Sequence, residues 1–131
     1  MSISPDKLEI KAAAYTAAWN SGSAEAVAAH YAAEGVIVIN RGDPWQGRAG
    51  IVEMAAGFFR DVPGLKLSCD KARCAGSHAV YMWTFTGHDA TTGNALSVPG
   101  WEEWDLSGDM EIVSSRGWFD ADDYARQVEG N

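Results

Sequence analysis

The chain has 131 residues, 47% of them hydrophobic, and a formal net charge of −8 from 18 acids against 10 bases. That is the length of one ordinary domain, with enough apolar material for a core that needs no disulfide or metal staple. The acidic balance and the lack of any Lys/Arg cluster exclude nucleic-acid backbones and anionic lipid surfaces as expected partners.

No apolar run approaches the roughly 20 residues of a membrane span. The N-terminus, MSISPDKLEIK, carries charge where a signal peptide is apolar, so the expected location is the cytoplasm. Cys69 and Cys74 lie in a strand-like stretch, about 16 Å apart if extended, beyond disulfide reach. Two reduced thiols are expected. No Cys-x-x-Cys or His-x-x-x-His spacing accompanies them, so neither a metal nor any other cofactor is expected.

In chain order, Ser4-Pro5-Asp6 is a helix start: a capping hydroxyl, a first-turn proline and an acid at the positive end of the dipole. Leu8, Ala12, Tyr15 and Trp19 follow on one helical face. Asn20-Ser21-Gly22 stops that helix, Gly22 suiting the left-handed position after the cap. Ser23 caps a second, Ala-rich helix predicted to carry Val27, His30, Tyr31 and Glu34 and to end at Gly35. Residues 36–40 (VIVIN) are β-branched and predict a strand. Arg41-Gly42-Asp43-Pro44 is turn chemistry, with Arg41 and Asp43 placed to pair across it. Residues 48–60 return to helical period. From Leu65 onward four long strand-like segments, 65–74, 78–88, 94–106 and 110–119, are joined by short turns and therefore predict antiparallel neighbours. The tail adds a helical turn around Asp122–Val128.

The order α-α-β-α-β-β-β-β predicts one α+β domain over residues 1–131: a strongly curved antiparallel sheet with helices across its concave face. Strands of about ten residues exceed the usual five or six, and a twisted sheet of that length coils over itself. The result is a cone whose interior the helices do not fill.

The chain resembles the nuclear-transport-factor-2-like, cystatin-like cone superfamily in its SnoaL-like branch. The resemblance rests on Tyr15…Trp19-Asn20-Ser21-Gly22, Gly47-Arg48-Ala49-Gly50-Ile51, Phe85-Thr86-Gly87-His88 with Thr92-Gly93, Trp104 to Ile112, and Arg116-Gly117-Trp118-Phe119-Asp120. It covers about residues 8 to 128. It implies the fold firmly and the function weakly, since isomerases, epoxide hydrolases, cyclases, dehydratases and binding modules share it. Several active relatives carry an acid where this chain has Gly117, and the epoxide-hydrolase pattern wants Arg and Asp where Trp83 and Phe85 stand. The resemblance therefore argues against epoxide hydrolysis, and the missing acid also counts against the polyketide-cyclase mechanism. A bend in a curling strand is the alternative account of Gly117.

Period two puts Tyr81, Trp83 and Phe85 on one face of their strand and Val80, Met82 and Thr84 on the other. The resemblance implies that the first face lines a pocket and the second packs on a partner subunit; plain core filling explains the aromatics as well. In Trp101-Glu102-Glu103-Trp104, alternation directs one Glu inward beside a tryptophan, where a carboxyl has a raised pKa and exchanges protons near neutrality. Glu102 is the choice, against two solvated edge glutamates. His88 is a second candidate base, although Asp89 points to the opposite face and the pair stands at a rim. His30 is read as a packing residue, His78 as exposed, and Asp120, Asp122 and Asp123 as capping or solvated acids. No nucleophile elbow, P-loop or dinucleotide fingerprint is present.

The resulting expectation is a protein that binds an apolar or aromatic small molecule in a cavity lined by Tyr15, Trp19, Trp83, Phe85, Trp104 and Phe119. Its alternatives are a cofactor-free isomerase, cyclase or dehydratase using Glu102 or His88 on a polyketide- or steroid-like substrate, or a non-catalytic homodimerisation module joined through the outer sheet face.

Overall fold

A computed structural model describes residues 2–131. The elements are α1 (Pro5–Asn20), α2 (Ala24–Ala28), β1 (Tyr31–Ile39), β2 (Trp45–Gln46), α3 (Gly47–Asp61), β3 (Lys66–Ala75), β4 (His78–His88), β5 (Ala95–Leu106), β6 (Ile112–Phe119) and α4 (Ala121–Glu129). They build an α+β cone on one six-stranded sheet ordered β2-β1-β6-β5-β4-β3.

The local signals act as the sequence implies. The Ser4 hydroxyl accepts a hydrogen bond from the Lys7 amide and caps α1. Gly22 follows with φ +74°, the left-handed conformation that costs glycine least. Asp120 caps α4 by accepting from the Asp123 amide, so it serves a helix end. Strands β3 to β6 form the antiparallel meander in consecutive order. In β4, Ala79, Tyr81, Trp83 and Phe85 are buried while Val80 and Met82 are exposed.

Two features depart from the sequence reading. The second helix ends at Ala28, and Tyr31 and Glu34 belong to β1 rather than to that helix. Gly35 is not a helix stop; it lies in β1 at a register shift against β6. A Cβ there would stand 2.8 Å from the Ile112 carbonyl oxygen, so glycine permits the close approach of two backbones. The sheet is also mixed, because β1 pairs with β6 in parallel. No short turn links these strands, so nothing local in the sequence announces the pairing. At the predicted turn Arg41 does not pair with Asp43; its guanidinium sits 5.6 Å from the centre of the Trp118 ring.

The helices position the interior. α1 lies on β3, held at its end by Asn20, whose side chain accepts from the Leu67 amide at 2.6 Å and donates to the Leu67 carbonyl at 2.9 Å. α3 buries Ile51, Met54 and Ala55. In the buried core Tyr81 stacks on Trp104 with ring centres 5.0 Å apart, and Tyr15 meets Trp104 edge-on at 5.1 Å. Aromatic pairs of this kind add about 0.5–1.5 kcal/mol each beyond the area they bury.

Candidate functional site

Glu102 is placed by three strands. Alternation along β5 turns Glu102 and Trp104 inward and leaves Trp101 and Glu103 on the outer face, where the Trp101 indole N–H donates to Glu103. In the ladder Glu102 stands opposite Tyr81 of β4 and Gly117 of β6. The carboxyl is buried, with 6% of the residue exposed.

Its two oxygens differ. Oε1 accepts from the Ser115 hydroxyl at 2.8 Å, the Trp104 indole N–H at 2.9 Å, and the Tyr15 and Tyr31 hydroxyls at 3.1 and 3.3 Å. Oε2 meets only the Tyr15 hydroxyl, at 3.2 Å, which it shares with Oε1. Tyr15 and Tyr31 are themselves 3.0 Å apart, so their two protons serve one small cluster. Oε1 is saturated and Oε2 retains free lone pairs.

Burial pushes the Glu102 carboxyl above the usual glutamate range, and the hydrogen bonds from Trp104, Ser115 and the tyrosines oppose it. Burial raises Tyr15 and Tyr31 well above the ordinary phenol value, helped by the neighbouring Glu102 charge, so both remain neutral donors. Among the described residues no Lys, Arg or His forms an ion pair with Glu102.

Beside this carboxyl is a cavity walled by Trp19, Phe58, Trp83, Phe85, Phe119, Met54 of α3 and the aliphatic Ile37, Ile39, Leu65 and Leu67, with Glu102 and Gly117 also in the wall. About 50 Å³ of it is open to the centres of water-sized molecules. That is room for a few waters or one small ring. Its aromatic residues touch one another: Phe58 lies 6.1 Å from Trp19, 6.4 Å from Phe85 and 6.5 Å from Phe119, and Trp83 lies 6.1 Å from Phe85 and 6.4 Å from Phe119. Gly117 keeps the space over Glu102 open. A Cβ there would meet Ile39, Glu102 and Ile37 at 3.7 to 4.0 Å, ordinary contact distances.

Of the candidates named from sequence, Trp19, Trp83, Phe85, Phe119 and Glu102 come together at this cavity. Tyr15 and Trp104 stand behind the wall and hydrogen-bond the carboxyl instead of lining the space. His88 is exposed at the end of β4 and takes no part in the wall. His78 is exposed and pairs with Asp105 on the surface. His30 accepts a contact from the Lys11 ammonium at 2.9 Å; burial and that neighbour lower its pKa to about 4, and burial lowers Lys11 to about 8.

Two members of the cluster escaped the sequence reading. Ser115 was legible in principle, since Phe119 and Gly117 face inward and period two continues to Ser115. Tyr31 was not, because the chain around it looks helical and its partner strand is distant in sequence.

Solved structures of the same fold include a hypothetical protein with a ketosteroid isomerase-like fold from Catenulispora acidiphila in complex with trimethylamine, 23% identical with a TM-score of 0.84 over 97% of this chain and 95% of that one. TsrD from Streptomyces laurentii is 18% identical with a TM-score of 0.84 over 99% and 100% of the two chains. TerC, co-crystallised with polyporic acid, is 17% identical with a TM-score of 0.79 over 92% and 97%. No curated protein matches the chain in sequence. The model of the SnoaL-like domain matches residues 12–114. The cone, its inward-facing β strands and that match lead to one conclusion: the chain belongs to the SnoaL-like domain family.

Proposed function

We propose that the protein binds a compact, largely apolar small molecule in the cone cavity, with Glu102 as the group that meets the ligand's polar atom. The observation that carries this reading is a buried carboxyl with one saturated oxygen and one that meets a single shared donor, set beside an aromatic-walled space. Fold neighbours crystallised with trimethylamine and with polyporic acid support small-molecule binding. The same carboxyl supports cofactor-free proton transfer as a second reading. A glutamate held above its usual range is a stronger base than an ordinary carboxylate, which suits the proton transfers of an isomerase or dehydratase. His88, exposed at the rim, is not needed by either reading.

Titration with cyclohexanol tests the cavity. Wild-type protein is expected to bind it, and Gly117→Ala to bind at least about fivefold more weakly, because the added methyl occupies the space over Glu102 at ordinary contact distances. Stability should stay within about 0.5 kcal/mol of wild type. Equal affinity in the two proteins would place binding elsewhere.

The outer face of the sheet supports a second copy as partner. Val80, Met82 and Trp101 are each about two-fifths exposed there, and Trp101 stacks on Trp118 with centres 6.5 Å apart. A two-fold pairing of these faces would cover them. Sedimentation is expected to give a dimer at micromolar concentration and a monomer for Met82→Lys; a wild-type monomer counts against the pairing.

A further inference from the structure

The chemistry of the cavity wall selects a class of ligand, granted the reading of this cavity as a binding site. Its polar side chains are Glu102 and the indoles of Trp19 and Trp83; the rest of the wall is hydrocarbon, aromatic or Met54. The Trp19 indole nitrogen is buried, with no hydrogen-bond partner and almost no accessible surface. Among the described residues Glu102 is the one acceptor side chain in the wall; its Oε2 accepts from Tyr15 alone, and no basic side chain pairs with the carboxyl.

A ligand that completes this site must bring a hydrogen-bond donor, and a positively charged donor also brings the missing counter-charge. The remaining walls favour the same sign of charge. Phe58 contacts Trp19, Phe85 and Phe119, and Trp83 contacts Phe85 and Phe119, so the rings form a continuous surface. Aromatic faces attract cations, most strongly where water is excluded. Among the described residues no Lys, Arg or His belongs to the wall to repel one.

We propose that the cavity takes a small organic ammonium ion, which donates an N–H to Glu102 Oε2 and lays its hydrocarbon body against Trp19, Phe58, Trp83, Phe85 and Phe119. An anionic ligand is disfavoured by the same carboxylate, and a large one by the roughly 50 Å³ open to water-sized centres.

Four probes of one size separate the possibilities by calorimetric titration at pH 7: cyclohexylamine, a cation at that pH; cyclohexanol, a neutral donor; cyclohexanone, an acceptor alone; and methylcyclohexane, with no polar atom. Cyclohexylamine is expected to bind about tenfold more tightly than cyclohexanol, with cyclohexanone and methylcyclohexane weaker still. Glu102→Gln should remove the preference for the amine over cyclohexanol, with a circular dichroism spectrum matching wild type showing that the variant is folded. Phe58→Leu, which removes one ring from the wall, should lower amine affinity by a larger factor than methylcyclohexane affinity. Cyclohexanone binding as tightly as the amine would overturn the ammonium assignment and point to the indole donors, with the cavity still a binding site. Failure of all four probes would overturn both the assignment and the binding function on which it rests.

Discussion

Replacing Glu102 with alanine is expected to destabilise the protein by about 3–5 kcal/mol. The reason is the number of donors the carboxylate satisfies. The Trp104 indole, the Ser115 hydroxyl and the two tyrosine hydroxyls converge on it, and Tyr15, Tyr31, Trp104 and Ser115 are all fully buried. Alanine leaves donors without an acceptor inside the cone, and each such group costs about 1–3 kcal/mol unless water enters from the cavity. Tyr15 and Tyr31 retain each other, which sets the lower end of the range. Glu102→Gln keeps one carbonyl oxygen where Oε1 stands and should cost far less.

The glutamine variant also isolates a dependence on pH. The folded state holds the Glu102 proton more tightly than the unfolded chain does, because burial raises its pKa above the ordinary 4.5. A raised folded value means the favourable contribution is complete below about pH 4.5 and is lost as pH rises through the raised value. Urea unfolding across that interval should therefore show stability falling with pH more steeply in wild type than in Glu102→Gln. The tyrosines around the carboxyl do not titrate there, since burial raises Tyr15, Tyr31 and Tyr81. His30 and Lys11 are common to both proteins and cancel in the comparison. Parallel curves would mean that Glu102 is not desolvated in solution.

Gly100→Ala is the second large effect, expected to cost about 3 kcal/mol and to lower the melting temperature by roughly 10 °C. Gly100 pairs with Trp83 on one side and Phe119 on the other. A Cβ at this position would lie 2.5 Å from the Trp118 carbonyl oxygen and 2.5 Å from the Trp83 ring. The carbonyl belongs to β6 and cannot retreat without opening the β5–β6 ladder. The Trp83 ring can retreat only by leaving the cavity wall. Thermal unfolding and cyclohexanol titration should therefore fail together in this variant. The contrast is Gly117→Ala, one strand away, where the same added methyl has room and only the ligand is affected. A Gly100→Ala protein as stable as wild type would show that the Trp83 indole does not lie over the glycine.

Much of this architecture was legible from local chemistry. Caps at Ser4 and Asp120, the stop at Gly22 and the turns between long strands have causes within a few residues of where they act. Alternation alone separated Tyr81, Trp83 and Phe85 from Val80 and Met82. It also limited the inward acid to one of two glutamates. Local periodicity misjudged residues 29 to 35, where Ala-rich composition suited a helix but the chain forms strand β1. The deciding term was pairing with β6, a partner about eighty residues away.

The site divides along the same line. That an aromatic face and an inward carboxyl would occur on β4 and β5 follows from side chains alternating every second residue, a property of the strand itself. Which Glu102 oxygen gathers the donors, and that Tyr15 and Trp104 support the carboxyl instead of lining the cavity, depends on α1, β1, β5 and β6 converging on one point. Hydrogen bonds between elements 71 and 87 residues apart are set by packing geometry, and no spacing along the chain encodes them. Local sequence thus established the parts, and only the folded cone decided that one oxygen would gather four donors and the other one.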